Sequence, residues 1–183
     1  MNAQEAVRAI ILELGEDPDR EGLIDTPRRV IRALQEMTSG YTMNPAEILQ
    51  RQFDSDGYDD LVIVRGIRFS SMCEHHLLPF VGTAAVAYVP NDRVVGLSKL
   101  PRLVECFARR LQLQERMTHQ IAQAVQDHLD PFGVGVHVTA SHQCMACRGV
   151  KQHDADMVTA TVMGAMRTNA SLKAEFISSV QSR

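Results

Sequence analysis

Tryptophan is absent from the 183 residues, aromatics make up only 5% of them, and basic residues do not outnumber acidic ones. Nineteen Lys and Arg against 22 Asp and Glu give a formal net charge of −3. That balance argues against a general nucleic-acid or anionic-membrane surface, while leaving room for a local basic pocket. No apolar run nears the roughly 20 residues of a membrane span. The opening stretch MNAQEAVRAIILELGEDPD has acidic residues and neither a basic start nor a cleavage-like end, so it does not read as a signal peptide. Without an address the expected compartment is cytoplasmic. There the four cysteines, Cys73, Cys106, Cys144 and Cys147, read better as thiols or metal ligands than as disulfides. Repeats, low-complexity tracts and an obvious interdomain linker are missing too.

What is present fits one domain, or a domain with a helical extension, long enough to bury roughly 70% of its unfolded surface. Val7, Ile10, Ile11 and Leu14 recur at helical spacing until Gly15 and Pro18. In DTPRRVIRALQEMTSG, Thr26 suits an N-cap, Pro27 the first helical position, and Val30, Leu34 and Met37 a stripe ending at Gly40. Residues 44–51 suit a short helix and 52–60 an acidic loop. Residues 61–69 and 81–89 are rich in β-branched and small apolar residues and predict strands, with a shorter one over Val94–Leu97. Ser98 suits the cap of a helix whose Leu100, Leu103, Val104, Phe107 and Leu111 share a face. Residues 114–129 predict another helix, with Met117, Ile121, Val125 and His128 on one side. Residues 134–142 and 156–163 alternate as strands do, and a last helix carries Leu172, Phe176, Ile177 and Val180. Strands in pairs with grouped helices indicate an α+β fold, a mainly antiparallel sheet with helices on one face.

The chemistry concentrates in two short stretches. SMCEHHLLPF gives Cys73 and His76 the C-x2-H spacing of a metal clip, and SHQCMACRG offers His142, Cys144 and Cys147. Cys73, His76, Cys144 and Cys147 would form a closed structural zinc site. Cys73, His76 and Cys144 alone would leave a fourth position for water, whose pKa zinc lowers to about 7. Spacing does not choose between them. His75, His142 and Arg148 flank these ligands, and a structural knuckle rarely needs such neighbours. GLSKLPR sets Ser98, Lys99 and Arg102 at a helix start, where backbone N–H groups favour an anion.

Taken together, CEHHLLPF, GLSKLPRLVECFARRLQLQERMTHQIA and SHQCMACRGV resemble the GTP cyclohydrolase I family, and the likeness continues through GEDPDREGLIDTPRRVIRALQEMTSGY and TATVMGAMRTNASLKAEF. The resemblance implies a tunnelling fold over residues 58–183 behind a helical extension over 1–57, with sheets joining into a barrel in a homodecamer. It implies that Cys73, His76 and Cys144 hold one Zn2+ with water as the fourth ligand, that Cys147 is no ligand, and that no organic cofactor is needed. Under it, zinc-bound water opens the guanine ring of GTP at C8, formate leaves, and the ribose rearranges to give 7,8-dihydroneopterin triphosphate, the first step toward tetrahydrofolate. His75 matches the proton donor to N7. Glu115 matches the carboxylate gripping the guanine edge, with Gln114 in the same pocket. Ser98, Lys99, Arg102 and Arg148 match groups around ribose and triphosphate, and His142 matches a histidine used in the later rearrangement. Arg29 matches a triphosphate contact from a neighbouring subunit. Arg32 stands where some relatives have Lys, which keeps charge but not hydrogen-bond geometry. Two rivals remain: a related hydrolase releasing another pterin, and a zinc-stapled binding protein without turnover.

Overall fold

The computed structural model describes residues 1–181. Helix α1 (Ala3–Glu13) starts from a capping box: Asn2 accepts from the Glu5 backbone while the Glu5 side chain accepts from the Asn2 backbone. Val7 and Ile11 are buried, whereas Ile10 and Leu14 face solvent, so only half of the expected stripe is covered. Helix α2 (Thr26–Met37) is capped one residue earlier than its sequence suggests. Asp25 is the N-cap, Thr26 is already helical, and no side-chain cap bond forms. A single 3-10 turn (Ser39–Thr42) follows, its Gly40 N–H donating to the Arg109 carbonyl at 2.9 Å. Gly40 is required there, because a Cβ would lie 2.3 Å from the Cys106 carbonyl oxygen.

After α3 (Pro45–Leu49) the expected acidic loop is in part a strand. β1 (Gln52–Asp54) pairs antiparallel with β4 (Arg93–Val95) as a separate ribbon. The main sheet is built from β2 (Val62–Cys73), β3 (Pro79–Val89), β5 (Leu111–Gln112), β6 (Gly133–His142) and β7 (Asp156–Gly164), in the order β5-β2-β3-β6-β7. All pairings are antiparallel except the short β5–β2 contact, Met72 opposite Leu111 and Cys73 opposite Gln112. A bulge between Val64 and Ile67 uses Gly66 at φ +70°.

Helices α4 (Lys99–Ala108) and α5 (Gln114–Leu129) cover one face of this sheet. Leu100, Leu103, Val104, Met117, Ile121 and Val125 pack there on Phe69, Phe80, Val86, Tyr88, Val134, Val136 and Val138. Met117 is fully buried, and truncating it to Ala costs about 2–5 kcal/mol. Leu111 does not extend the α4 stripe, since Arg109 leaves helical geometry (ψ +55°) and Leu111 opens β5. On α5 the buried residue near the end is Leu129, and His128 is exposed.

Short helices α6 (Gln143–Ala146) and α7 (Ala165–Thr168) follow β6 and β7, and α8 (Ala170–Gln181) ends the described chain. Phe176 and Met166 pack on Ala87 from the opposite sheet face. Gly135, paired with Ala87, makes the room: a Cβ there would meet Met166 Sδ at 2.4 Å. The two-layer α+β body expected from the pattern is therefore present, with α8 added behind one end of the sheet. No helix among the described residues is long and apolar enough to cross a membrane.

Candidate metal centre and surrounding site

Cys73 is the last residue of β2, where a tight turn reverses the chain into β3. Its carbonyl accepts from the His76 and Leu77 backbone N–H groups at 3.4 and 2.9 Å, and its own N–H donates to the Leu78 carbonyl at 2.9 Å. Leu77 completes this turn in the left-handed region, φ +53°. The result folds His76 back on Cys73, with Sγ and Nδ1 3.7 Å apart. Strand β6 supplies the next part. Phe80 pairs with both Ser71 and His142, so the ends of β2 and β6 lie on either side of the start of β3. The chain then turns into α6, which carries Cys144 to Cys73.

One donor atom each from Cys73, His76 and Cys144 lies within 4.8 Å of the others. Cys147 is outside this group: it is exposed, and its thiol donates to the Gln143 carbonyl at 3.0 Å. Burial pushes the Cys144 thiol up, and the adjacent Cys73 adds to the rise, while Arg148 pulls it down. Two neighbouring thiols resist becoming thiolates together unless a cation sits between them. A divalent ion supplies that charge, and two sulfurs with one imidazole nitrogen form a set suited to zinc. The residues fit such an ion.

The start of α5 borders the same end of the sheet, because β5 pairs with β2 at Cys73. Glu115 is exposed in its first turn and near enough to His142 to act on its charge. Burial lowers the His142 pKa, an effect Glu115 opposes. Gln114 is 1% exposed, and its side chain is turned inward onto His142, Val138, Met157 and Thr159. His75 is exposed on the turn, its ring 6.2 Å from that of His76 and nearly perpendicular to it. Arg148 is exposed just beyond α6.

The remaining expected residues lie elsewhere in the chain. β3 runs from Phe80 beside the cluster to Tyr88, about 26 Å away at strand rise. At that far end the Tyr88 hydroxyl accepts from the Val95 N–H at 3.1 Å, and Ser98 follows three residues later. The ten residues of α4 then return about 15 Å toward the cluster. Ser98, Lys99 and Arg102 thus occupy the end of α4 remote from Cys73. Ser98 stands at the N-cap position but makes no side-chain cap bond. Arg29 and Arg32 are exposed on α2, and Arg29 pairs with Asp25 at 3.1 Å.

Three contacts were not legible as site features. Glu74 and Arg116 form a two-pronged ion pair, Phe80 stacks on His142, and Thr159 accepts from the Gln114 amide while bonded to Thr118. Each joins residues remote in sequence, and only the strand register and the β5–β2 pairing reveal them.

The sequence profile of GTP cyclohydrolase I matches residues 3–181. The chain is 50% identical over 176 residues to GTP cyclohydrolase 1 of Pelagibacter ubique (strain HTCC1062), a match spanning 96% of this chain and 87% of the relative. It is 49% identical over 179 residues to GTP cyclohydrolase 1 of Campylobacter jejuni subsp. jejuni serotype O:6, covering 98% and 94%. Among solved structures, the apo form of the archaeosine synthase QueF-Like superposes with a TM-score of 0.47 at 18% identity, over 57% of this chain and 93% of that one. A profile match over nearly the full length, with relatives at half identity, settles the kinship: the chain belongs to the GTP cyclohydrolase I family.

Proposed function

We propose that the protein is a zinc-dependent GTP cyclohydrolase I, which opens the guanine imidazole ring of GTP at C8, releases that carbon as formate and forms 7,8-dihydroneopterin triphosphate. The observation that carries this reading is the gathering of Cys73, His76 and Cys144 beside His75, His142 and Glu115 in a member of this family. Cys73, His76 and Cys144 would hold the zinc, which would supply the Lewis acidity needed to activate water near neutral pH. Glu115 accepts hydrogen bonds from guanine N1–H and the 2-amino group, and so orients C8. His75, exposed beside His76, delivers a proton to N7 and makes C8 electrophilic. His142 moves a proton during the ribose rearrangement.

Ser98, Lys99, Arg102, Arg29 and Arg32 hold ribose and triphosphate, and Arg148 joins them from the cluster side. Because Ser98, Lys99 and Arg102 lie at the remote end of α4, the complete site takes that end from a neighbouring subunit. The homo-oligomer is a ring-shaped decamer whose sites lie at subunit interfaces, and it works in the cytoplasm.

Metal-replete protein incubated with GTP should release formate and a fluorescent pterin, identified by mass spectrometry. His75→Ser should keep its zinc and lose product. Stoichiometric zinc without formate from the wild type would leave a binding protein instead, and a different pterin would leave the related hydrolase.

A further inference from the structure

His142 and Gln114 are joined by a contact of 2.7 Å between Nε2 and Oε1. Which atom carries the hydrogen is decided at the other end of the glutamine. Gln114 Nε2 lies 2.9 Å from the Met157 carbonyl oxygen and 3.2 Å from that of Val138. Carbonyl oxygens only accept, so the amide NH2 belongs there. The flipped amide would set oxygen against two main-chain oxygens at a residue only 1% exposed, an unpaired buried arrangement.

The two threonines agree with this count. The Thr118 hydroxyl is 2.7 Å from the Gln114 main-chain oxygen and must donate to it. Thr118 Oγ1 is also 2.7 Å from Thr159 Oγ1, so the Thr159 hydrogen goes to Thr118. A lone pair of Thr159 then faces Gln114 Nε2 at 3.2 Å, again as an acceptor. The two amide hydrogens are shared among these three acceptors, all on the side away from the imidazole, so the hydrogen of the remaining contact falls on His142 Nε2. The ring itself is held flat by Phe80, centroids 4.6 Å apart and planes 3° from parallel.

We propose that Gln114 serves the reaction as a positioning residue acting through His142, not by touching the purine: it fixes His142 as the Nε2–H tautomer and leaves Nδ1 as the ring's proton acceptor. The proposal rests on the role given to His142 above. It departs from the expected guanine contact because both ends of the Gln114 amide are already engaged within the chain.

The test is a solid-state 15N spectrum of zinc-loaded, histidine-labelled protein at mildly alkaline pH, with His142 assigned by difference against His142→Asn. A protonated Nε2 and a bare Nδ1 are expected. The opposite tautomer in the wild type would overturn the proposal without any variant. Gln114→Met, which keeps length but no hydrogen bonds, should give a mixture of tautomers. It should retain zinc and lower kcat by about 10²-fold. Its KM should stay within about threefold. A raised KM at unchanged kcat and unchanged tautomer would place Gln114 on the substrate and sink the idea. Wild-type protein with the Nε2–H form but no formate release would overturn the reaction and leave the proton assignment standing.

Discussion

Arg116 grips Glu74 with both terminal guanidinium nitrogens, at 2.5 and 3.0 Å, and so ties the turn between Cys73 and His76 to the helix that presents Glu115. The guanidinium holds the Glu74 carboxyl below the usual carboxylate range. The pair is partly open to solvent, so its value lies in placement more than in stability. Arg116→Met should leave the thermal midpoint nearly unchanged and make zinc easier for a chelator to remove. Added salt should weaken the wild type toward the variant. Equal chelator competition curves for the two proteins would refute the link.

Cys147 invites confusion with a ligand, because C-x2-C is a common half of a zinc site. Its thiol is directed at the Gln143 carbonyl and its surface is exposed. Cys147→Ser should keep one zinc per chain and near-native formate release, whereas Cys144→Ser should lose both. Metal analysis of the two purified variants decides the matter. Loss of zinc from Cys147→Ser would restore the four-ligand reading.

Leu77 sits at φ +53°, a conformation costing roughly 1–2 kcal/mol for a residue with a Cβ. Its side chain is 52% exposed, so little packing offsets the strain. Leu77→Gly should therefore match or exceed the wild type in thermal midpoint, while Leu77→Val, stiff at Cβ, should fall below both and bind zinc less tightly. Scanning calorimetry of the zinc-loaded proteins tests the ranking, and Val above Gly would contradict it.

Burial alone depresses the pKa of His137, which lies on the sheet face away from α4 and α5. The unfolded chain therefore takes up its proton at a higher pH than the folded chain. Stability is fully present above the unfolded value of about 6.5 and is lost as pH falls through the depressed folded value. His137→Gln should flatten this decline. Urea midpoints of both proteins across about pH 5–8 give the comparison, and parallel curves would remove His137 as a contributor.

The parts of this fold that were legible in the sequence are those where one local pattern meets one environment. Val134, Val136, Val138 and Ala140 alternate because β6 has a helix-covered face, and α5 spans residues 114–129 as its periodicity predicts. Patterns failed where a long-range partner set the outcome. Residues 52–54 read as an acidic loop, yet β4 recruits them by backbone pairing, which polarity does not report. Leu111 fits the α4 stripe by spacing, but pairing with Met72 pulls it into β5. The cysteines and histidines of the cluster stood out because such residue types are chemically distinctive. Phe80 did not, since an apolar residue opening a strand looks like any other core residue until the register sets it over His142.

The length of α4 has a further consequence. On the function proposed above, its two tips would serve different reaction centres, one through Ser98 and Lys99, the other through the start of β5 next to Cys73. A chain damaged at one tip can then donate the other intact. Under that proposal, mixed assemblies made by unfolding and reassembling Cys73→Ser with Lys99→Ala chains should recover turnover that neither parent has alone, and such paired defects would be masked in a cell that makes both.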